Sequence, residues 1–92
     1  MENCIVFSLQ SNQLVAEKVA KKYGVELGVV SIDNFADGEV LVKSLSDVKN
    51  KNVVIIESTA KNAHEILFEL LLLVDSVKRA GAKTVKLYIP YF

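Results

Sequence analysis

Hydrophobic residues along this chain fall into short runs typical of buried strands and longer stretches spaced like one face of a helix. The most strand-like run, at residues 53–57, begins with four consecutive aliphatic side chains and is expected at the centre of a sheet. A polar, Gly-containing connection at 33–39 predicts a hairpin or excursion. The predicted strands are residues 4–8, 25–32, 40–42, 53–57 and 85–89.

The first predicted helix lies between the first two strands and covers one side of the sheet. Ser11 or Asn12 caps its start, and Gly24 supplies a left-handed stop. Its apolar residues share one helical face, which is expected to be the buried one. They are Leu14, Val15, Val19 and Tyr23.

The second predicted helix starts at Asn62, with Glu65 as its capping partner, and runs to about Ala80 with Gly81 beyond its end. It carries more apolar surface than one sheet face requires. One apolar face comprises Ile66, Leu67, Leu70, Val74 and Val77, and a second comprises Phe68, Leu71 and Leu72. The second face indicates either a deeply embedded helix or a contact with another domain or subunit, and both interpretations stay open.

Strands that alternate with two helices predict an α/β layer sandwich with a mainly parallel sheet and right-handed crossovers. The 92 residues are enough for one compact domain, 1–92, and a second domain is not expected.

Composition limits the possible binding partners of the protein and its cellular compartment. The 11 basic and 11 acidic residues balance, so no overall charge favours nucleic acid or an anionic membrane. The longest apolar run, 70–74, is far too short to span a bilayer. The N-terminus has no basic segment or cleavage site of a signal peptide, and the single cysteine, Cys4, is typical of a reducing compartment. We therefore expect a cytoplasmic protein that does not enter membranes or bind nucleic acid.

Several kinds of site are excluded because their residues do not occur. The chain has neither the phosphate-binding loop G-x-x-x-x-G-K-[ST] nor G-x-G-x-x-G after its first strand. One Cys and one His are too few for a zinc cluster or a Cys/His dyad, so no metal site is predicted. Cys4 is expected to be an inert core residue, and His64 a solvated residue at a helix start.

The connection at 35–39 is the best local candidate for a ligand site. Phe35 can stack on a base, while Asp37 and Glu39 can accept hydrogen bonds from an exocyclic amine beside the backbone bend at Gly38. The same residues also suit an ordinary turn, with the phenyl ring anchored to the core. Composition and spacing leave both interpretations open.

The chain resembles the start of the ribose-phosphate pyrophosphokinases along its whole length. The resemblance rests on these ordered segments: Val-Phe-Ser at 6–8 with Ser-Asn at 11–12, Glu-Leu-Gly at 26–28, Phe-Ala-Asp-Gly-Glu at 35–39, Val-Ile-Ile-Glu-Ser-Thr at 54–59, Glu-Leu-Leu at 69–71, Asp at 75, Lys-Arg-Ala at 78–80 and Ile-Pro-Tyr-Phe at 89–92.

This resemblance implies a phosphoribosyltransferase-like, three-layer fold, of which the chain would be an incomplete N-terminal domain. It further implies Mg²⁺-dependent transfer of pyrophosphate from ATP to ribose 5-phosphate by a homo-oligomer. Carried across from the family, Phe35, Asp37 and Glu39 would help to hold the adenine of ATP bound mainly by a neighbouring subunit. So polar a loop is expected to protrude with Phe35 exposed, and in an extended stretch Asp37 and Glu39 would point to the same side. No catalytic residue and no metal ligand of the family falls within this chain, so the chain alone is expected to be inactive.

Two departures from the family pattern bear on regulation and on the first loop. Asp-Val-Lys-Asn at 47–50 replaces a Ser-Val-Arg-Gly pattern whose Ser and Arg contribute to a regulatory phosphate site, and Leu9 stands where a Gly is usual. A carboxylate at 47 would repel phosphate, so a poor response to phosphate is expected. Two alternatives remain open: a non-catalytic regulatory relative and a standalone adenine-nucleotide-binding module. A receiver-like signalling module is not expected, because it needs an acidic pair after the first strand, where this chain has Ser8, Leu9 and Gln10.

Overall fold

The computed structural model describes residues 3–9, 13–57 and 63–89. Strands and helices alternate along the chain, which confirms the predicted α/β class. The elements are β1 (Cys4–Phe7), α1 (Gln13–Tyr23), β2 (Glu26–Leu27), β3 (Val30–Asn34), β4 (Val40–Ser44), β5 (Asn52–Ile56), α2 (Ala63–Arg79) and β6 (Thr84–Tyr88).

Four strands form a parallel sheet in the order β2-β1-β5-β6. β5 lies between β1 and β6, so the central position predicted for this run is confirmed. β3 and β4 pair with each other as a separate antiparallel hairpin, the excursion expected between the second and third predicted strands.

Alternate residues of the sheet supply two core clusters, because successive strand side chains point to opposite faces. On one face, Val6 packs with Ala16 of α1. On the other, Phe7 packs in a cluster that includes Leu73 of α2 and Val42 of the hairpin. The sheet is therefore covered by α1 on one side and by α2 with the hairpin on the other, which gives three layers.

The buried face of α1 differs from the predicted one. Ala16 and Ala20, spaced four apart, are buried, while Leu14 and Tyr23 are 66% and 55% exposed. Val15 is also exposed, and of the four predicted residues Val19 alone packs partly against the core. The prediction was wrong because it ranked residues by hydrophobicity, whereas two methyl side chains let the helix backbone approach the sheet closely.

Both helices end as predicted, with a left-handed glycine. Gly24 has φ 65° and Gly81 has φ 94°. After each glycine, the next N–H donates back to a helical carbonyl, from Val25 to Ala20 and from Ala82 to Val77, both at 3.0 Å. This is the Schellman arrangement, which satisfies carbonyls left open at a helix end. The predicted caps Ser11, Asn12 and Asn62 lie outside the described residues.

The predicted strand at 25–32 is divided into β2 and β3 at Gly28. A side chain cannot be placed at Gly28, since a Cβ there would overlap the ring of buried Phe7. Gly28 N–H donates to the Val6 carbonyl at 2.7 Å, which ends the pairing of β2 with β1. The chain then leaves the parallel sheet and enters the hairpin.

Candidate functional site

The loop that joins β3 to β4 has a defined turn geometry. The Phe35 N–H donates to the Glu39 carbonyl at 2.9 Å, and the Gly38 N–H donates to the Phe35 carbonyl at 3.0 Å. Gly38 has φ 89°, a left-handed conformation that residues with a side chain rarely adopt. The loop therefore closes the hairpin through a tight turn with glycine at its last position.

Phe35 lies on the outer face of this hairpin. Val40 and Val42 alternate toward the core, where Val42 is buried, so the residues between and before them point outward. Phe35 sits opposite Glu39 and is 49% exposed. The expectation that this ring is exposed, rather than anchored in its own core, is confirmed.

Asp37 and Glu39 are both exposed, but not in the extended arrangement that the sequence suggested. An Asp37 carboxylate oxygen accepts a hydrogen bond from the Glu39 N–H at 3.1 Å, because residues 36–38 turn instead of extending. Asp37 thus holds the turn in shape with one oxygen. The loop presents an aromatic ring and two carboxylates to solvent, a set that can stack on a planar base and accept hydrogen bonds from an amine.

A cleft of about 210 Å³ lies between the hairpin and the start of α2. Asn34 and Val40 line one wall, and Glu65, Phe68 and Glu69 line the other. Burial, reinforced by the negative charges of Glu65 and then Glu57, raises the pKa of the Glu69 carboxyl. The cleft therefore has an acidic wall next to an exposed aromatic ring.

A larger cavity of about 480 Å³, which sequence reasoning missed, lies at the carboxyl end of β1. The buried Ser8 hydroxyl lines it and donates to the Gln13 side-chain oxygen at 2.9 Å. Glu57, fully buried at the end of β5, accepts a hydrogen bond from the Leu9 N–H at 2.9 Å. The sequence carried one signal for this cavity: Glu57, a charged residue directly after an aliphatic run. Such a residue lies at the carboxyl edge of the sheet, where α/β folds bind ligands.

Of the remaining polar candidates, Asp47 has a structural partner. The Asp47 carboxylate accepts a hydrogen bond from the Lys49 N–H at 3.1 Å and so supports the turn before β5. Cys4 is buried in β1, as expected, and His64 is exposed at the start of α2. Among residues 3–9, 13–57 and 63–89, no cluster of three acidic, His or Cys side chains could hold a metal ion. No helix in this part of the chain is long and apolar enough to cross a membrane.

Comparison with known sequences gives one consistent family. Residues 4–92 match the family model of the N-terminal domain of ribose phosphate pyrophosphokinase. The chain is 46% identical over 90 residues to the ribose-phosphate pyrophosphokinases of Corynebacterium ammoniagenes and Bacillus anthracis. Each alignment covers 98% of this chain and 28% of the relative, so the chain spans little more than a quarter of the length of these relatives.

Solved structures agree on the fold. Phosphoribosylpyrophosphate synthetase from Mycobacterium smegmatis superposes with a TM-score of 0.87 at 25% identity, over 99% of this chain and 30% of that one. A purine phosphoribosyltransferase from Pyrococcus horikoshii superposes with a TM-score of 0.66 at 21% identity, over 95% of this chain and 58% of that one. The phosphoribosyltransferase-like fold expected from the sequence is therefore confirmed.

Proposed function

Because the chain belongs to the ribose-phosphate pyrophosphokinase family, as its N-terminal domain, we propose that it serves an enzyme that transfers pyrophosphate from ATP to ribose 5-phosphate. Within that enzyme, the exposed hairpin loop contributes to the ATP site. The observation that carries this role is the outward position of Phe35 at the tip of a structured turn.

The loop suits adenine better than phosphate. Phe35 offers a ring face for stacking, and the nearby carboxylates of Asp37 and Glu39 would repel the phosphates while accepting a hydrogen bond from the adenine amine. The ring is half exposed on its own domain, so a ligand between it and a second surface would gain stacking on one side and enclosure from the other. We propose that the loop completes an ATP site held mainly by a neighbouring subunit, within a homo-oligomer in the cytoplasm.

Mg²⁺ would accompany ATP in the complete enzyme and neutralise the charge that develops on the transferred phosphoryl groups. The described residues of this chain do not fit as its ligands, because they bring no three metal-binding side chains together. The proposed contribution of this chain is recognition of the nucleotide base, with no catalytic step assigned to its residues.

A substitution at Phe35 tests the proposal in the complete protein that contains this domain. Phe35→Ala should weaken ATP binding about 10- to 100-fold, since stacking on an aromatic ring is worth roughly 1–3 kcal/mol. Affinity for ribose 5-phosphate should stay unchanged. Isothermal titration with each ligand measures both.

Leu45→Ala is the matched control, because Leu45 is 61% exposed and follows β4 at the end of the hairpin opposite the loop. This variant should bind ATP like the parent. Equal ATP affinity of Phe35→Ala and the parent would leave the loop as an ordinary turn. ATP binding lost on Phe35→Ala in a parent without turnover would instead indicate the regulatory relative.

A further inference from the structure

The cavity at the carboxyl end of β1 is lined by three separate parts of the chain. Ser8 and Leu9 follow β1, Gln13 begins α1, and Gly28 and Val30 lie where the chain passes from β2 into β3. Its volume of about 480 Å³ falls within the range of roughly 300–1,000 Å³ that small-molecule sites occupy. The loop at 35–39 does not line it, so the cavity is a second feature, independent of that loop.

The wall of the cavity is apolar and uncharged along its described residues. Most of it is aliphatic and includes Leu27, Val30 and Ile32, and none of the described lining residues ionises. A charged ligand would lose its hydration there and find no opposite charge, at a cost in free energy. The wall therefore favours an uncharged molecule with a largely apolar body over a phosphate or a carboxylate.

One pair of polar side chains, Ser8 and Gln13, also lines the cavity. Ser8 is 4% exposed, and its hydroxyl oxygen lies 2.9 Å from the Gln13 side-chain oxygen and 3.1 Å from the Leu9 carbonyl oxygen. With a single proton, the hydroxyl donates to one of these oxygens at a time. Within the described part of the chain, Ser8 is the one hydrogen-bond partner of the Gln13 side chain.

The amide of Gln13 therefore keeps hydrogen-bonding capacity for a ligand. A side-chain amide has two N–H donors and an oxygen with two lone pairs, and Ser8 uses one of these four positions. At least one N–H and one lone pair stay available, whichever way the amide is turned. They lie side by side at the exposed start of α1, beside the cavity. The complementary ligand group is a carbonyl oxygen next to an N–H.

We propose that this cavity binds a small uncharged lactam, a planar cyclic amide, whose ring packs on the aliphatic wall while its C=O and N–H pair with the Gln13 amide. A ketone or an ether only accepts hydrogen bonds, whereas a lactam uses both halves of that amide. Ser8 acts as a positioning residue, because its buried hydroxyl holds the amide beside the cavity. The lactam would contact the end of β1, the start of α1 and the base of the hairpin together, so its binding would stabilise the folded protein.

Titration of the isotope-labelled chain with 2-quinolone, followed by NMR, tests the proposal. This lactam should shift the resonances of the Gln13 side-chain NH₂ and of the Gly28 and Val30 amides, with a dissociation constant of about 0.1–3 mM for a ligand of its size. N-methyl-2-quinolone has the same ring without the N–H donor and should bind at least about 5-fold more weakly. Quinoline-2-carboxylate, which carries a charge, should shift none of these resonances.

Variants of the polar pair test which residues carry the binding. Gln13→Leu should weaken 2-quinolone binding about 5-fold and make it equal to that of N-methyl-2-quinolone, since neither ligand then meets an amide. Ser8→Ala should lower the ratio of the two affinities and leave N-methyl-2-quinolone binding unchanged, as expected of a residue that acts through Gln13. Lys21→Leu is the matched control, because Lys21 is exposed in the last turn of the same helix and does not line the cavity. It should bind both ligands like the parent.

Three results would overturn the proposal. The first is the absence of shifts at the cavity residues with 2-quinolone at about 3 mM. The second is equal binding of 2-quinolone and its N-methyl derivative by the parent, and the third is a Gln13→Leu variant that still discriminates between them. Shifts confined to Phe35 and its neighbours would equally overturn it, because they would assign the ring to stacking on the hairpin loop. The effect of Phe35→Ala on ATP binding is independent of all these outcomes.

Discussion

At the residue scale, the fold changes the acid–base behaviour of Glu69 by raising its pKa. Burial is the main cause of its raised pKa, followed by repulsion from Glu65 and Glu57. The folded protein therefore holds the Glu69 proton more tightly than the unfolded chain does. This stabilises the fold at pH values below the usual pKa of 4.5, and the stabilisation is lost as pH rises through the higher folded value.

Glu69→Gln should remove that pH dependence, because an amide at this position carries no charge at any pH. At neutral pH the variant should have a higher thermal midpoint than the parent, and its midpoint should change less between acidic and neutral pH. Thermal unfolding followed by circular dichroism at several pH values provides the measurement. Glu17→Gln, on α1, serves as control and should follow the parent. A Glu69→Gln curve parallel to the parental one would contradict the assignment.

Single residues also show where sequence reasoning succeeded. The exposure of Phe35 followed from its polar neighbours, since a loop so rich in carboxylates cannot be buried without losing their hydration. The burial of Glu57 could not be predicted in the same way. Its hydrogen bond to the Leu9 N–H joins residues 48 positions apart, and no local pattern specifies that partner.

At the scale of elements, the hairpin of β3 and β4 depends on the backbone conformation of one loop residue. Gly38→Ala should destabilise the protein by about 1–2 kcal/mol, because the left-handed region costs that much for a residue with a Cβ. Crowding adds nothing, since no atom lies within 4 Å of the added methyl group. Urea denaturation measures the change in the free energy of unfolding.

Ala36→Ser, two positions away in the same exposed turn, is the control and should alter stability by no more than about 0.5 kcal/mol. Equal stabilities of Gly38→Ala and the parent would show that the turn can adopt another form.

The existence of this hairpin was predictable from its polar, glycine-containing loop. The need for glycine where β2 ends was not, because its reason is the ring of Phe7, which is distant in the sequence.

The two helices also have some features that the sequence predicts and others that it does not. Their glycine ends were predictable because the stop is local. The buried face of α1 was not, because a close approach of helix to sheet favours small side chains over large apolar ones. Only the three-dimensional packing identifies Ala16 and Ala20 as the contact.

At the scale of the whole molecule, the 92-residue chain by itself should form no phosphoribosyl pyrophosphate from ATP and ribose 5-phosphate. Pyrophosphoryl transfer requires Mg²⁺ and cationic groups placed around the developing charge, and the described residues assemble no metal site. An assay for AMP release, with a full-length relative as positive control, measures this. Turnover by the purified chain would contradict the prediction.

The fold class and the family could both be read from the sequence, because the order of strands and helices and the ordered motifs are properties of the chain itself. Which partners the protein surface binds depends on contacts with other molecules, and the sequence does not specify these contacts. The second apolar face of α2 was recognised, but only the structure separates the partly buried Leu72 from the exposed Phe68 and Leu71.

The parallel pairing of β1 with β5 also sets an order of events during synthesis. The hairpin closes a short loop and can form within about 1–10 µs once both of its strands exist. β1 cannot pair with β5 until the chain has grown from Cys4 to its partner Asn52, which takes seconds at about 5–20 residues per second. During that interval Ile5 and Phe7 have no central strand beside them. β1 is therefore made well before the strand that completes its pairing, and the nascent chain carries Ile5 and Phe7 without that neighbour for that time.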